Sequence, residues 1–373
     1  MTADAFVVGR GRRATSPRRA AVQATKVVLS LALTAALTVG GLPLVSGVAW
    51  PAIAGALSTV SVIAVLALTA LWLASIWAHT LVFTASLPGL TKRRAMLLTL
   101  TGSSVSNLMP FGGAFGTALN YSMTRTWGHS RAAFVLFAVM THLWGVAAKL
   151  ALPILALVVL LATGSSSGRL LVPAVIALVA MAVLATVLGL ILAREGFAAS
   201  CGRLVERVVL STTMLVRRPR QVGLETAALD LRRQAIAMLR LGWRRPVVGM
   251  VAYFGLQGFL LWACLHLVGA AISPAHVLAV YALERLLSVL VVTPGGLGVV
   301  EVGMTALLVA FGGNPAAAAA GVVLFRAFTF AAEIPVGGTL LVGWLGLRMA
   351  ATRTALRAPR NLQPHPTMSI GSP

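Results

Sequence analysis

The sequence predicts an all-α polytopic membrane protein, built as an inverted repeat of helices with two re-entrant or broken-helix hairpins. Three observations support this fold class. The 373 residues are 58% hydrophobic and 10% charged, with a mean hydropathy of +0.93, which is more apolar surface than a soluble protein can bury. The 30 Lys and Arg residues lie mostly between or beyond the apolar runs. Two stretches of the chain also repeat the same Pro and Gly positions.

Apolar runs long enough to cross a bilayer supply the predicted spans. Two further apolar regions, 95–127 and 276–312, are interrupted near the middle by Pro and Gly. Their halves are short for a complete crossing, so we predict hairpins, which are tolerated at depth where the backbone is buried in protein or lines a cavity. If each half crosses completely, the loops stay on the same sides. The predicted spans cover about 27–49, 52–86, 132–163, 170–193, 247–271 and 316–347.

The internal repeat has an offset of 184 residues, the separation of Pro110 from Pro294. The repeat relates the first hairpin and the span after it to the second hairpin and the span after that. Repeats within membrane sequence are typical of secondary transporters, whose substrate sites lie near the bilayer midplane. Other matched positions are Ser104 and Ser288, Gly112 and Gly296, Gly128 and Gly312, His142 and Arg326, and Lys149 and Glu333.

Basic residues predict the orientation, because cytoplasmic loops of membrane proteins are rich in Lys and Arg. With a cytoplasmic N-terminus, the first half of the repeat enters the membrane from the cytoplasm and the second half enters from outside. The repeat is therefore predicted to be inverted. The chain is therefore expected to cross the membrane several times, with both termini in the cytoplasm.

The chain divides accordingly into six predicted regions. In the basic linker, apolar residues recur at helical spacing from Leu224 to Leu241, which favours an amphipathic helix on the cytoplasmic leaflet or a solvated helix packed on the bundle. The regions are a basic cytoplasmic tail (1–26), a first membrane half (27–163), an external linker with the first span of the second half (164–193), a basic cytoplasmic linker (194–246), the rest of the second half (247–347) and a disordered cytoplasmic tail (348–373).

Charged residues inside the predicted membrane segments are the candidate functional residues. A charge at the centre of a spanning helix costs at least ~2.5 kcal/mol on insertion scales, so each needs a partner or a wet cavity. We expect a polar pocket near the midplane, where Arg side chains attract a phosphate headgroup and Glu side chains bind an amine or move a proton. The predicted substrate path contains Glu284, Arg285, Glu301, Arg326 and Glu333 from the second half and His142 and Lys149 from the first.

Several of these residues have a structural alternative. Glu301 follows Gly298 by three residues, the position of a residue that starts a helix. Arg326 and Glu333 are seven residues apart, the spacing of a buried structural pair on one helical face. For His142 the alternative is a hydrogen-bonded interior histidine.

The Pro and Gly residues in the middle of each hairpin are the predicted tips. If the hairpins enter from opposite faces, their tips approach one another near the midplane. These residues are Pro110, Gly112 and Gly113 in the first hairpin, and Pro294, Gly295, Gly296 and Gly298 in the second.

Signatures of several protein classes are missing from the sequence. It contains no HExxH and no spaced Cys/His set, and the run 295–298 has no soluble strand before it. We therefore expect no enzyme activity, no metal and no cofactor. The net charge of +22 is attributed to topology and to anionic lipid, and no nucleic-acid partner is expected.

The second hairpin carries a motif with a family resemblance. The run Thr293-Pro294-Gly295-Gly296-Leu297-Gly298-Val299-Val300-Glu301, with Gly312 and Arg326 after it, resembles the signature of the lysylphosphatidylglycerol synthase transmembrane-region family. These are flippase-like integral membrane proteins that include the membrane half of the multiple peptide resistance factor. The first hairpin, from Asn107 to Gly128, resembles the actinobacterial branch, and the similarity covers roughly residues 27–347.

The resemblance implies an inner-membrane protein that moves an amino-acylated or polyprenol-linked lipid between leaflets. It does not imply lysyl transfer, which in two-domain members resides in a separate soluble domain that is not expected here. The leading prediction is a translocase for a phospholipid or lipid-linked intermediate. A small-solute secondary transporter and a non-catalytic scaffold or accessory protein of envelope lipid synthesis remain open. Expected partners are membrane lipids, anionic ones above all, with a homo-oligomer or envelope-synthesis enzymes as further candidates.

Overall fold

The computed structural model describes residues 37–108, 112–164, 171–214, 224–288 and 296–357. All regular structure in these ranges is helical, which confirms the all-α prediction. Two π-helical turns, Leu37–Gly41 and Ala327–Ala331, accompany the α-helices. The helices are α1 (Leu42–Ser46), α2 (Trp50–Ser58), α3 (Val62–Ser86), α4 (Lys92–Leu108), α5 (Gly112–Thr126), α6 (Arg131–Ala162), α7 (Leu171–Ala193), α8 (Glu195–Met214), α9 (Leu224–Gly242), α10 (Arg244–Leu267), α11 (Pro274–Leu287), α12 (Val299–Ala310), α13 (Pro315–Arg326) and α14 (Glu333–Arg357).

Several of these helices have the length and apolarity of membrane spans. In the described ranges, α3, α6, α10 and the continuous segment Pro315–Ala350 each suffice to cross a bilayer. Two bent helix pairs, Val39–Ser46 with Trp50–Ser58 and Leu178–Ala193 with Glu195–Arg207, raise the number to six if each pair forms one span. The protein is therefore a multi-pass membrane protein.

The first two predicted spans, 27–49 and 52–86, are divided differently in the structure. Residues 27–36 lie outside the described ranges, and the helices after them meet at 86°. Gly47, with φ of +67°, ends α1, and Ser61 starts α3 by accepting a hydrogen bond from the Ala64 amide at 3.2 Å. Hydropathy is high throughout this region, so it does not indicate where the caps break the helix.

The repeat is visible in the backbone at the offset of 184 residues. Gly128 and Gly312 both have left-handed φ angles, +89° and +86°, which glycine adopts without steric cost. The next helices start in the same way, because Ser130 and Asn314 each accept a hydrogen bond at 3.1 Å from the amide three residues later. The turn and the helix start that follow each hairpin thus have the same conformation in both halves.

Helices α3 and α10, which are repeat equivalents, pack directly against each other. Gly249 lies against Val82, the Tyr253 ring lies 4.6 Å from that of His79, and Gln257 Nε2 lies 3.5 Å from Ser75 Oγ. Residue numbers rise along one helix as they fall along the other. The two helices therefore run antiparallel, as an inverted repeat requires.

Two further interfaces between the halves are reciprocal but unequal. Helix α14 of the second half packs on α4 of the first, and α6 of the first packs on α11 of the second. The α4–α14 interface is tight, because a Cβ added at Gly337 would lie 2.1 Å from the Leu100 carbonyl oxygen, and Ser104 Oγ donates to the Ile334 carbonyl at 2.9 Å. Pro153 occupies the position of Gly337 in α6, and that interface borders an open groove.

Helices α8 and α9 pack together beyond the spans, and α9 covers the segment with the predicted amphipathic pattern. Arg232 donates to the carbonyl oxygens of Ile191 at 3.0 Å and Leu192 at 2.8 Å, and its Nη1 bonds Glu195 at 2.8 Å. It thereby satisfies carbonyl groups in the last turn of α7. The position of α9 on a leaflet stays a prediction.

Adjacent glycines in α14 provide a test of the tight interface. Gly337→Ala should lower the free energy of unfolding by about 1–3 kcal/mol, the usual cost of overpacking, because the new methyl group meets the α4 backbone. Gly338→Ala is the matched control, since its Cβ would lie 3.8 Å from the nearest neighbour, Ser104 Oγ. Both variants gain the same helix propensity. Thermal unfolding in detergent that ranked them equally would contradict the described interface.

Candidate functional site

Four charged side chains from three helices of the second half form a connected network. Arg326, at the end of α13, donates through Nε to Glu301 Oε1 of α12 at 2.6 Å, and its Nη1 lies 3.9 Å from Glu284 Oε1 of α11. Glu284 also accepts a 2.5 Å bond from Nη2 of the adjacent Arg285. The formal charges of the four groups sum to zero. Their side chains are at most 11% exposed, so each charge depends on its neighbours.

Glu301 has the capping position that was considered as its structural alternative, and it also pairs with Arg326. Its Oε2 accepts a 2.6 Å bond from the Gly298 amide, which is a capping interaction at the start of α12. Its Oε1 accepts the bond from Arg326. The left-handed φ of +85° at Gly298 turns the backbone so that this amide points to the carboxylate.

Arg285 is held between the ion-pair network and two aromatic rings. Its guanidinium carbon lies 5.1 Å from the centre of the Tyr281 ring and 5.9 Å from that of Phe254, which is within the range of cation–π attraction. Tyr281 is buried, and its hydroxyl has no hydrogen-bond partner among the described residues. Arg285 therefore lies beside a buried hydroxyl group that can still form a hydrogen bond.

Lys149 and Glu333, which are repeat mates, occupy equivalent positions between the halves. Lys149 Nζ of α6 donates to Ser288 Oγ, next to the end of α11, at 3.2 Å. Glu333 Oε2 of α14 accepts a 3.2 Å bond from Asn107 Nδ2 near the end of α4. Each charge therefore has a neutral hydrogen-bond partner, and each bond joins the last span of one half to the hairpin of the other.

The buried pair considered for Arg326 and Glu333 is not formed. The ion-pair partners of Arg326 are Glu301 and Glu284. The π-turn Ala327–Ala331 lies between the two residues, and its wider i→i+5 bonding means that seven residues no longer make two regular helical turns. The sequence spacing is therefore a poor guide at this point.

His142 lies apart from the network. It is exposed, and its Nδ1 lies 2.8 Å from the Ala138 carbonyl oxygen of its own helix. The sequence placed His142 in the predicted substrate path, with a hydrogen-bonded interior histidine as the alternative. The structure gives it a local hydrogen bond on the outside of α6.

The predicted hairpin tips are only partly within the described ranges. Pro110, Pro294 and Gly295 lie outside them, whereas Gly112, Gly113, Gly296 and Gly298 lie inside. Gly112 is required for close packing, since a Cβ there would lie 1.8 Å from the Ser106 carbonyl oxygen. Gly296 has a φ of +72°, which favours glycine.

An apolar groove of about 740 Å³ lies next to Arg285. Helices α6, α10 and α11 form its walls, and Tyr281 and Phe254, the two rings that contact Arg285, belong to its lining. Ala148, the neighbour of Lys149, also lines it. Two cations thus lie beside one end of a cavity whose walls are otherwise almost entirely apolar.

Sequence reasoning missed the residues that position the charges. Phe254 gives no signal, since it is one aromatic residue among many apolar ones in α10. Ser288 and Asn107 are polar groups near the ends of hairpin helices, and the repeat match of Ser104 with Ser288 was a signal that could have identified this junction.

Removal of Arg326 provides a test of the network. Arg326→Gln should lower the free energy of unfolding by about 3–5 kcal/mol, the usual cost of leaving a buried charge without its partner, because Glu301 and Glu284 lose their shared cation. Arg233→Gln is the matched control, since Arg233 pairs with Asp230 on an exposed surface where a pair contributes about 0–1 kcal/mol. Chemical unfolding in mixed micelles that gave equal losses would show that the network does not stabilise the fold.

The comparisons with known proteins identify the family. The family model described as Lysylphosphatidylglycerol synthase TM region matches residues 23–337, more than four-fifths of the chain. The protein belongs to this family, which is one of membrane proteins of lipid and envelope metabolism. A comparison with curated proteins gave no match.

Proposed function

We propose that this member of the lysylphosphatidylglycerol synthase transmembrane-region family is a non-enzymatic translocase that moves an anionic phospholipid or lipid-linked intermediate between the leaflets of the plasma membrane. One observation carries the proposal: the two aromatic rings that contact the Arg285 guanidinium, those of Tyr281 and Phe254, belong to the lining of the apolar groove. A lipid has the same two parts, an apolar chain and a charged headgroup. The distribution of Lys and Arg supports cytoplasmic termini.

The groove suits a hydrocarbon chain better than a polar solute. Its lining side chains are aliphatic or aromatic, with polar atoms only in Tyr281 and Trp262, and its volume of about 740 Å³ lies in the usual range of small-molecule sites. A second apolar groove of about 560 Å³ between α3 and α10 shares Phe259 and Trp262 with the first. A two-chain lipid would place one chain on each side of these stacked rings, whose centres are 5.2 Å apart.

The charges at the end of the groove suit an anionic headgroup. Lys149 is held by a hydroxyl group, so a phosphate oxygen would be a stronger partner for it than the present one. Arg285 shares Glu284 with Arg326. If Arg285 turned to a phosphate, Glu284 would still have a cation close by, so the exchange would leave no carboxylate unpaired.

The unequal interfaces support movement of the lipid rather than static binding. Inverted halves can exchange conformations, so that an interface open on one side of the membrane closes as its mate opens on the other. Here the α6–α11 side has the groove and the α4–α14 side is packed through Gly337. In the proposed topology the groove faces the outer leaflet, since α11 starts on the external side.

Blocking the groove provides the first functional test. Gly255 lines the groove with no atom within 4 Å of its Cβ direction, so Gly255→Leu should fill the space and slow leaflet exchange several-fold. The measurement is exchange of a fluorescent phosphatidylglycerol in vesicles that contain the purified protein. Gly189→Leu is the control, because Gly189 is exposed on α7 with equally open surroundings. Equal rates for the two variants would refute the groove as the lipid path.

The charge of Lys149 provides the second functional test. Lys149→Gln should reduce phosphatidylglycerol exchange about tenfold, because a charged hydrogen bond contributes about 1.5–3 kcal/mol, and Lys149→Arg should retain most of the rate. Zwitterionic phosphatidylcholine in the same vesicles reports on headgroup selection. If the wild-type protein exchanged both lipids equally, or if Lys149→Gln slowed both equally, the anionic headgroup would play no part in recognition. If vesicles showed no exchange but took up a small polar solute, the translocase proposal would be wrong.

A further inference from the structure

Glu333 differs from the other buried carboxylates in its surroundings. It is 9% exposed and stands at the start of α14, directly after the π-turn. Glu284 and Glu301 are both bound to arginines, whereas within the described residues no Lys, Arg or His nitrogen lies within 4 Å of Glu333. Its hydrogen-bond donors are uncharged: the amide of Asn107 and the hydroxyl group of Ser103.

Neutral groups face Glu333 from the helix that packs most closely against it. Helix α4 presents Ser103, Ser104 and Asn107, which are neutral. Across the site, Arg326 and Arg285 act on it electrostatically from beyond ion-pair distance and are bound to other carboxylates. Tyr253 of α10 also lies within its field, with His79 of α3 against the Tyr253 ring. Glu333 can therefore accept a proton without leaving a directly bound cation unpaired.

The balance of charge explains why a proton would bind to Glu333 when an anionic headgroup enters. The network and its two flanking residues contain three acids (Glu284, Glu301, Glu333) and three bases (Lys149, Arg285, Arg326). This set is formally neutral until an anionic headgroup enters and adds a negative charge. Net charge away from water is costly, and one proton on Glu333 restores neutrality.

We propose that Glu333 is the proton site that couples this protein to the proton gradient, so that one proton moves with each anionic headgroup. This inference rests on the proposed function. Glu333 lies at the closed α4–α14 interface, one residue from the Ile334 carbonyl that binds Ser104. Protonation weakens the charge-assisted bond from Asn107, and so it acts on the interface that must open for the lipid to pass.

Two results follow from this coupling. Because headgroup binding favours the protonated form, protonation must equally favour headgroup binding. Because the charges of the proton and the headgroup cancel, exchange should respond to a pH difference across the membrane but not to an electrical potential.

The test uses the full chain in vesicles with a fluorescent phosphatidylglycerol. For the wild-type protein, an imposed pH difference should change the initial exchange rate several-fold, and a potassium-valinomycin potential at equal pH should not. Glu333→Gln should give the same rate with and without the pH difference. Glu225→Gln, which alters an exposed carboxylate on α9, should respond as the wild type does.

The outcomes separate the two proposals. Wild-type exchange that ignores the pH difference, or a Glu333→Gln variant that still responds to it, would overturn the proton site and leave the translocase intact. Absence of wild-type exchange would overturn the translocase.

A binding measurement is independent of transport: in weakly buffered detergent solution, a short-chain phosphatidylglycerol should cause uptake of about one proton per wild-type protein and none in Glu333→Gln. Equal uptake by the two would also overturn the proton site.

Discussion

The bond between Arg326 and Glu301 is the interaction on which the site depends. It joins α13 to the first turn of α12, and Arg326 also reaches Glu284 on α11. Three helices are thus held by one guanidinium in a region where water does not compensate a missing partner. Because Glu284 is fixed in this way, Arg285 is directed to the aromatic rings at the end of the groove. The ion pair of Arg326 and the cation beside the aromatic rings are therefore parts of one network.

The two halves share a backbone plan but not a set of side chains. Where the second half has Glu284, Arg285 and Glu301, the first half has Leu100, Thr101 and Thr117. The ion-pair network therefore belongs to one half alone, while the junctions between halves are reciprocal. Lys149 and Glu333 occupy equivalent junctions with opposite charge, so the same geometry presents a cation beside the groove and a carboxylate at the closed interface.

The sequence was informative where glycine, proline and charge act locally. The offset of 184 residues matched Gly128 with Gly312, and the structure shows nearly the same φ angle at both, because few residues other than glycine adopt such angles readily. The concentration of acids in the second half likewise pointed to the network. The ion-pair partners within the network could not be predicted from the sequence, because the π-turn Ala327–Ala331 alters the helical register that the spacing of Arg326 and Glu333 implied. Nor did hydropathy distinguish the bent α1–α2 pair from a straight span, since caps depend on single hydrogen bonds.

Distances across the two reciprocal interfaces test the central claim most directly, namely that inverted halves exchange an open and a closed side. Leu155 and Leu278 flank the α6–α11 side, and their repeat equivalents, Thr339 and Arg94, flank the α14–α4 side. Spin labels at each pair, measured by pulsed electron paramagnetic resonance in lipid nanodiscs, give both distances in the same bilayer. We expect two populations for each pair, with phosphatidylglycerol shifting one pair toward the shorter distance as it shifts the other toward the longer. Single, unchanging distances for both pairs, with and without the lipid, would contradict alternating access in this protein.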